Sequence, residues 1–211
     1  MSEKRTFLTS HGHYKNLRVY KVATALYDLT YTFCNRFLSS YGDRTVDQMV
    51  QAARSGKQNI AEGNRAAQTS AKMEIKLTGV AKASIEELLT DYEDYLRTRS
   101  LMHWDNEHPR YVKLREWVKS KLFMEQYAMQ AEKMNDEELA NLCITLCHQA
   151  IYMLKNLLDA QQDRFVTEGG VNERMYAART GYRQEIDEEL KQLREEVKRL
   201  KALLDENGIE Y

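Results

Sequence analysis

Proline is almost absent from this chain: Pro109 stands alone among 211 residues, beside only nine glycines. Breakers this sparse, together with few runs of valine and isoleucine, exclude an architecture of many short strands and tight turns and point to an all-α chain. Cysteine is scarce as well. Cys34, Cys143 and Cys147 are too few for a disulfide framework, so a reducing compartment is expected. No stretch approaches the roughly 20 apolar residues that span a bilayer, and the opening MSEKRTFLTSHGHYK lacks the apolar segment of a secretory signal. The expected location is cytoplasmic, with no membrane partner. Charge of one sign is missing too: the net charge is −1 and the pI about 6.5, so the total names no partner.

The distribution of charge says more. Residues 1–100 carry 15 Lys+Arg against 11 Asp+Glu, and residues 101–211 carry 16 against 21, so a mildly basic half precedes a mildly acidic one. Hydrophobic residues at 43% and charged residues at 30% suit a globular protein with a substantial core.

The apolar residues recur at helical spacing. Leu17, Val19, Val22, Leu26, Leu29 and Phe33 form one stripe; Met49, Val50, Ala53, Ile60 and Ala61 form a second, with Gly63 placed as a helix C-terminal glycine. After NRAAQTS, with Thr69 or Ser70 as N-cap, a long helix over about 70–99 carries Ile75, Thr78, Ile85, Leu89, Tyr92 and Leu96. Pro109 fits a first helical position. A fourth long helix, capped by Asp136, carries Leu139, Leu142, Leu146, Ala150, Met153 and Leu157, and EGG at 168–170 interrupts the chain. Four long helices with a short link between the second and third predict an antiparallel up-down four-helix bundle with an extra helical C-terminal extension. The expected organisation is a flexible arm over 1–13, the bundle over 14–162 with a helical insertion around 103–134, a suffix segment over 163–184 and a heptad helix over 185–211.

The tail carries the clearest interaction signal. Leu190, Val197 and Leu204 fall at a positions, and Ile186, Leu193 and Leu200 at d positions. Glu189 with Arg194, and Glu196 with Lys201, are g residues paired with e residues five later, the spacing that links parallel strands of a coiled coil. A homo-oligomer joined by these six apolar residues is expected; the alternative is a helix folded back onto the bundle.

QAARSGKQNIAEGNR, residues 51–65, sets glycine in mid-helix and a lysine on the inward stripe. Glycine there costs about 1 kcal/mol against alanine, so Gly56 implies a close helix crossing, with Gly79 opposite. Lys57 is expected to run its stem along that crossing and place its ammonium at an edge or against a carboxylate, since a buried unpaired ammonium is expensive. The alternative is a phosphate contact. Arg54, Lys57, Arg65, Lys72, Lys76 and Lys82 would then form a nucleic-acid-binding stripe with salt-dependent affinity, and Tyr14, Tyr20, Tyr27 and Tyr31 would serve as stacking platforms. The competing reading is a solvated charged face and tyrosines at the rim of the core.

Asn59, Ile60, Ala61, Glu62 and Gly63, followed by Ala83, Ser84, Ile85, Glu87 and Leu88 on the next helix, carry a resemblance. Over roughly residues 15–160 the chain resembles the bacterial four-helix-bundle family that includes the large ribosomal RNA intervening-sequence proteins and the accessory protein of diversity-generating retroelements. It departs from the family's pattern at Gly56 and Lys57, where many members carry an apolar residue and a proline. The segment beyond the core resembles the subgroup with a C-terminal suffix domain. The resemblance implies an up-down bundle assembled into rings such as pentamers, no enzymatic activity, no cofactor, and a partner that is RNA or a reverse transcriptase ribonucleoprotein.

Chemistry-bearing clusters are few. Cys143, Cys147 and His148 have helical spacing, but a structural zinc site wants four ligands, and Cys143 lies on the apolar stripe. His11 and His13 form at most a weak metal-binding arm. No nucleophile–base arrangement, phosphate-binding glycine loop or pair of positioned acids emerges, so an adaptor role, RNA-binding or purely structural, is expected rather than an enzyme.

Overall fold

The computed structural model describes residues 12–38 and 44–206; most of the expected 1–13 arm, His11 included, lies outside them. The described residues are helical, with no strand among them. A 3₁₀ turn (Tyr14–Asn16) precedes α1 (Arg18–Phe37), α2 (Arg44–Ala66), α3 (Ala71–Thr98), α4 (Pro109–Lys119), α5 (Phe123–Ala131), α6 (Asp136–Glu168) and α7 (Val171–Glu206). The chain divides into two compact units at Thr167/Glu168.

Local chemistry sets the helix ends. The Ser70 side chain accepts from the Met73 N–H at 3.2 Å and starts α3. For α6 the cap is Asn135, one residue before the expected Asp136: its Oδ1 accepts from the Glu138 N–H at 2.8 Å while Glu138 Oε2 accepts from the Asn135 N–H at 3.2 Å. This reciprocal box satisfies two orphan donors, and Asp136, Glu137 and Glu138 place acids at the positive end of the helix. Pro109 opens α4 as expected. The guanidinium of Arg36 donates to the carbonyls of Ala131 at 2.5 Å and Met134 at 2.8 Å, closing the end of α5.

In the first unit, α2 and α3 lie closely together. Ser55 and Ser84 hydroxyls are 2.9 Å apart, Gly56 faces Ala81 and Ile85, and Gly63 faces Glu74 and Leu77, so the two helices run in opposite senses. Lys57 reaches Tyr27 on α1. Phe33 of α1 meets the edges of Tyr92 and Tyr95 of α3 at 5.1 and 4.7 Å, and the Tyr92 hydroxyl donates to Thr30 at 3.0 Å. From α6, Gln161 and Arg164 reach Glu74, and Asp136 accepts from the Tyr95 hydroxyl at 3.1 Å. The core these contacts enclose includes Leu26, Leu29, Phe33, Met49, Ile85, Leu88, Tyr92, Leu139, Leu142 and Leu146.

Several boundaries differ from the sequence reading. Gly63 does not end α2; it is buried inside the helix, where an added Cβ would meet Glu74 O and Leu77 Cβ at 3.4 Å. Gly56 does not oppose Gly79, which has nothing within 4 Å of a built Cβ; the register of the crossing puts Ala81 and Ile85 there instead. The α6 apolar face is wider than a stripe, for every residue from Leu139 to Cys147 is buried. The loop before α4 adds to its cover: the Trp104 backbone N–H donates to Asn141 Oδ1 at 2.8 Å and its indole N–H to Glu137 at 3.0 Å. The expected insertion at 103–134 resolves into α4 and α5. The suffix at 163–184 is not a segment of its own, because α6 runs to Glu168 and one continuous helix, α7, covers Val171–Glu206. The break between them falls at Gly169, whose φ of +71° lies in the left-handed region that glycine adopts without strain.

Candidate functional site

The six basic residues singled out by sequence do not share one face. Lys57 and Arg65 turn toward α1 and the 3₁₀ turn: the Lys57 ammonium sits 3.9 Å from the Tyr27 ring centroid and the Arg65 guanidinium 4.8 Å from that of Tyr14. Lys57 is half-buried; of the two expected ends, an edge or a carboxylate, it meets no carboxylate among the described residues but an aromatic face, at the α1/α2 seam rather than the α2/α3 crossing. Such contacts are worth about 0.5–1 kcal/mol where solvent-exposed and more where desolvated. Tyr14 is flanked by His13, stacked at 4.5 Å, and by Tyr20, edge-on at 4.8 Å. One side of the unit therefore carries a row of rings with cations laid on two of them. Tyr31 is more than half exposed.

Arg54 faces the α2/α3 groove instead, lining an open cavity of about 740 Å³ with Arg44, Asp47, Ser55, Ser84 and Glu87. Carboxylates there offset the arginines. Lys82 pairs with Glu86 at 2.5 Å one turn on. Lys72 and Lys76 are exposed on α3. Helix register explains the scatter: residues advance about 100° each, so cations spread over two helices reach two different grooves.

Deep polar groups missed by the sequence reading join α3 to α6. Glu74 is buried and accepts from Gln161 at 3.1 Å and from Arg164; Gln161 also donates to Thr78 at 3.1 Å. A glutamate on an otherwise apolar stripe was the available signal, since a buried charge requires a partner. Asp91 is the other unusual acid. Burial, then Glu87 and Asp94, lift its carboxyl from 3.8 to about 6, and its Oδ2 is buried without a hydrogen-bond partner.

The cysteines belong to the core. Burial pushes the Cys143 thiol up to about 12 and raises Cys147 as well, so neither is a ready nucleophile. His148 is exposed while both thiols are buried, so the three do not converge. Among the described residues no group of three or more His, Cys, Asp or Glu side chains is placed to hold a metal, and no helix is long and apolar enough to cross a membrane.

In the second unit, α7 presents the heptad residues to solvent. Leu190, Leu193, Val197 and Leu200 are 44–56% exposed, Ile186 and Leu204 are half-buried, and no described side chain of this 36-residue helix is buried. Of the charges flanking the stripe, Glu196 lies 4.0 Å from Arg199 within the helix.

Compared with protein-family models, characterised proteins and solved structures, the chain matches none.

Proposed function

We propose that this chain is a non-enzymatic helical oligomer, a protein-interaction scaffold whose α7 joins copies of itself in a parallel coiled coil. The observation that carries this reading is the stripe Leu190, Leu193, Val197 and Leu200, exposed along a helix with no buried side chain among those described. An amphipathic helix of this length gains most of its stability from covering its apolar face. A second copy supplies a matching face, with Glu189–Arg194 and Glu196–Lys201 as interchain pairs. In this reading α1, α2, α3 and α6 form an up-down four-helix bundle, which the opposed senses of α2 and α3 support. The resemblance to the ring-forming bundle family favours a closed assembly such as a pentamer, in a reducing cytoplasm.

Light scattering of the intact chain tests the assembly. The expected mass is a multiple of 24.7 kDa, falling to a smaller value when residues 184–211 are deleted. A monomer at high micromolar concentration overturns it.

A second reading, an adaptor for RNA or a reverse transcriptase ribonucleoprotein, rests on the row of Tyr14 under Arg65 and Tyr27 under Lys57. Rings beside cations suit unpaired bases and phosphates, and repetition around an oligomer multiplies a weak contact. Electrophoretic shifts over a salt series check it: binding that weakens with salt, and weakens further in Lys57→Ala/Arg65→Ala, supports the role, and no shift at low salt removes it.

A further inference from the structure

Between α4 and α6 lies a half-enclosed cavity of about 460 Å³, within the range of roughly 300–1,000 Å³ typical of small-molecule sites. Two helix stripes converge on it. Tyr111, Arg115 and Lys119 recur every fourth residue on α4, and His148, Gln149 and Tyr152 face them from α6. The α4 stripe is held in place from its first turn, because the preceding loop is fastened to α6 through Trp104, Glu137 and Asn141, and Arg110 pairs with Glu138 at 3.3 Å.

The chemistry of the lining is specific. No carboxylate lines the cavity, and no carboxylate of the described residues pairs with Arg115 or Lys119, unlike Lys82, Arg110 and Arg164. Two cations one turn apart thus line a cavity whose own lining holds no carboxylate, Glu116 sharing only the adjoining hollow with them, an arrangement that favours an anion; a guanidinium fork suits phosphate oxygens and an ammonium adds a point charge. Tyr152 stands beside them at 66% exposure, a ring face with no stacking partner among the described residues. Gln149 has a carboxamide oxygen that is buried without a hydrogen-bond partner. Such orphaned groups are rare in folded proteins and call for an explanation; here a ligand donor that draws the carboxamide toward the cavity would relieve it.

We propose that the α4/α6 cavity is a binding site for a small phosphate monoester bearing a planar heterocycle, of the nucleoside monophosphate class. Arg115 and Lys119 hold the phosphate, Tyr152 and Tyr111 flank the ring, and Gln149 reads its polar edge. The site lies apart from the α1/α2 ring row and does not depend on the assembly through α7.

Isothermal titration of the full-length protein with guanosine and adenosine monophosphates tests the site, with the unphosphorylated nucleosides and inorganic phosphate as separate arms. The expected result is one saturable site per chain for at least one monophosphate, bound at least tenfold more tightly than its nucleoside or phosphate alone. Arg115→Ala/Lys119→Ala, both exposed positions, should weaken that binding at least tenfold with the unfolding midpoint unchanged. Gln149→Leu should weaken it while leaving the unliganded midpoint equal or higher. No saturable binding of either monophosphate at millimolar concentration overturns the proposal, as does binding that the double variant leaves unaltered.

Discussion

Gly56 sits where α2 comes nearest α3, and there the absence of a side chain decides the energetics. A Cβ built at Gly56 would lie 2.8 Å from Ile85 Cγ1, on a side chain only 1% exposed. Alanine elsewhere in a helix gains about 1 kcal/mol over glycine, but overpacking a filled core costs about 1–3 kcal/mol. Gly56→Ala is therefore expected to lower stability in urea by about 1 kcal/mol net, whereas Gly79→Ala, with open space at its Cβ, should raise it. Asp91 has a pH signature of the opposite kind to most paired carboxylates. Its carboxyl is raised from 3.8 to about 6, so the folded chain holds that proton more tightly than the unfolded one. Ionised Asp91 opposes folding above about pH 6, and its penalty fades as pH falls toward 3.8. Asp91→Asn should raise the urea midpoint at pH 7, with an advantage over the parent that shrinks through this window; an advantage constant with pH would exclude desolvation of the carboxylate as its source.

At the scale of elements, polar ties fix how α3 and α6 are seated. Glu74, buried between Gln161 and Arg164, sets their longitudinal register. Hydrogen bonds to charged groups contribute about 1.5–3 kcal/mol, and Arg164 keeps 30% side-chain exposure, so part of its charge stays hydrated. Glu74→Ala is expected to cost about 2 kcal/mol in denaturant unfolding. The α6 capping box makes a smaller, local contribution. Asn135→Ala removes the acceptor for the Glu138 N–H and should lower stability by about 1 kcal/mol. The long helices themselves were legible from apolar spacing, and Ser70 and Pro109 marked their starts. The end of α2 was not. Glycine after an apolar run has two physical meanings, a left-handed cap or a close approach, and only the position of α3 distinguishes them. The single helix α7 was equally hidden, because residues 171–185 lack a strong apolar period while helix propagation carries the chain through them.

For the whole molecule, the two units are stabilised by different means. The described residues up to Thr167 enclose a continuous core, whereas α7 offers 36 residues with no described side chain buried. If copies join through α7, heating should give two transitions by circular dichroism: an earlier one, for α7, whose midpoint rises with protein concentration by mass action, and a later, concentration-independent one for the core. One transition insensitive to concentration would exclude assembly through that helix. The amino-acid sequence by itself determined the helical class, most helix positions and the heptad stripe, because spacing along a helix follows from about 3.6 residues per turn alone. It named six cations on α2 and α3 without placing them. Only the tertiary structure decided that Lys57 and Arg65 lie on Tyr27 and Tyr14, that Arg54 faces another groove and that Arg115 and Lys119 meet His148 and Tyr152 across a cavity. Those partners are distant in the chain, and the rotation and register of packed helices, which determine their meeting, depend on side-chain interlock between elements rather than on the period of any one of them.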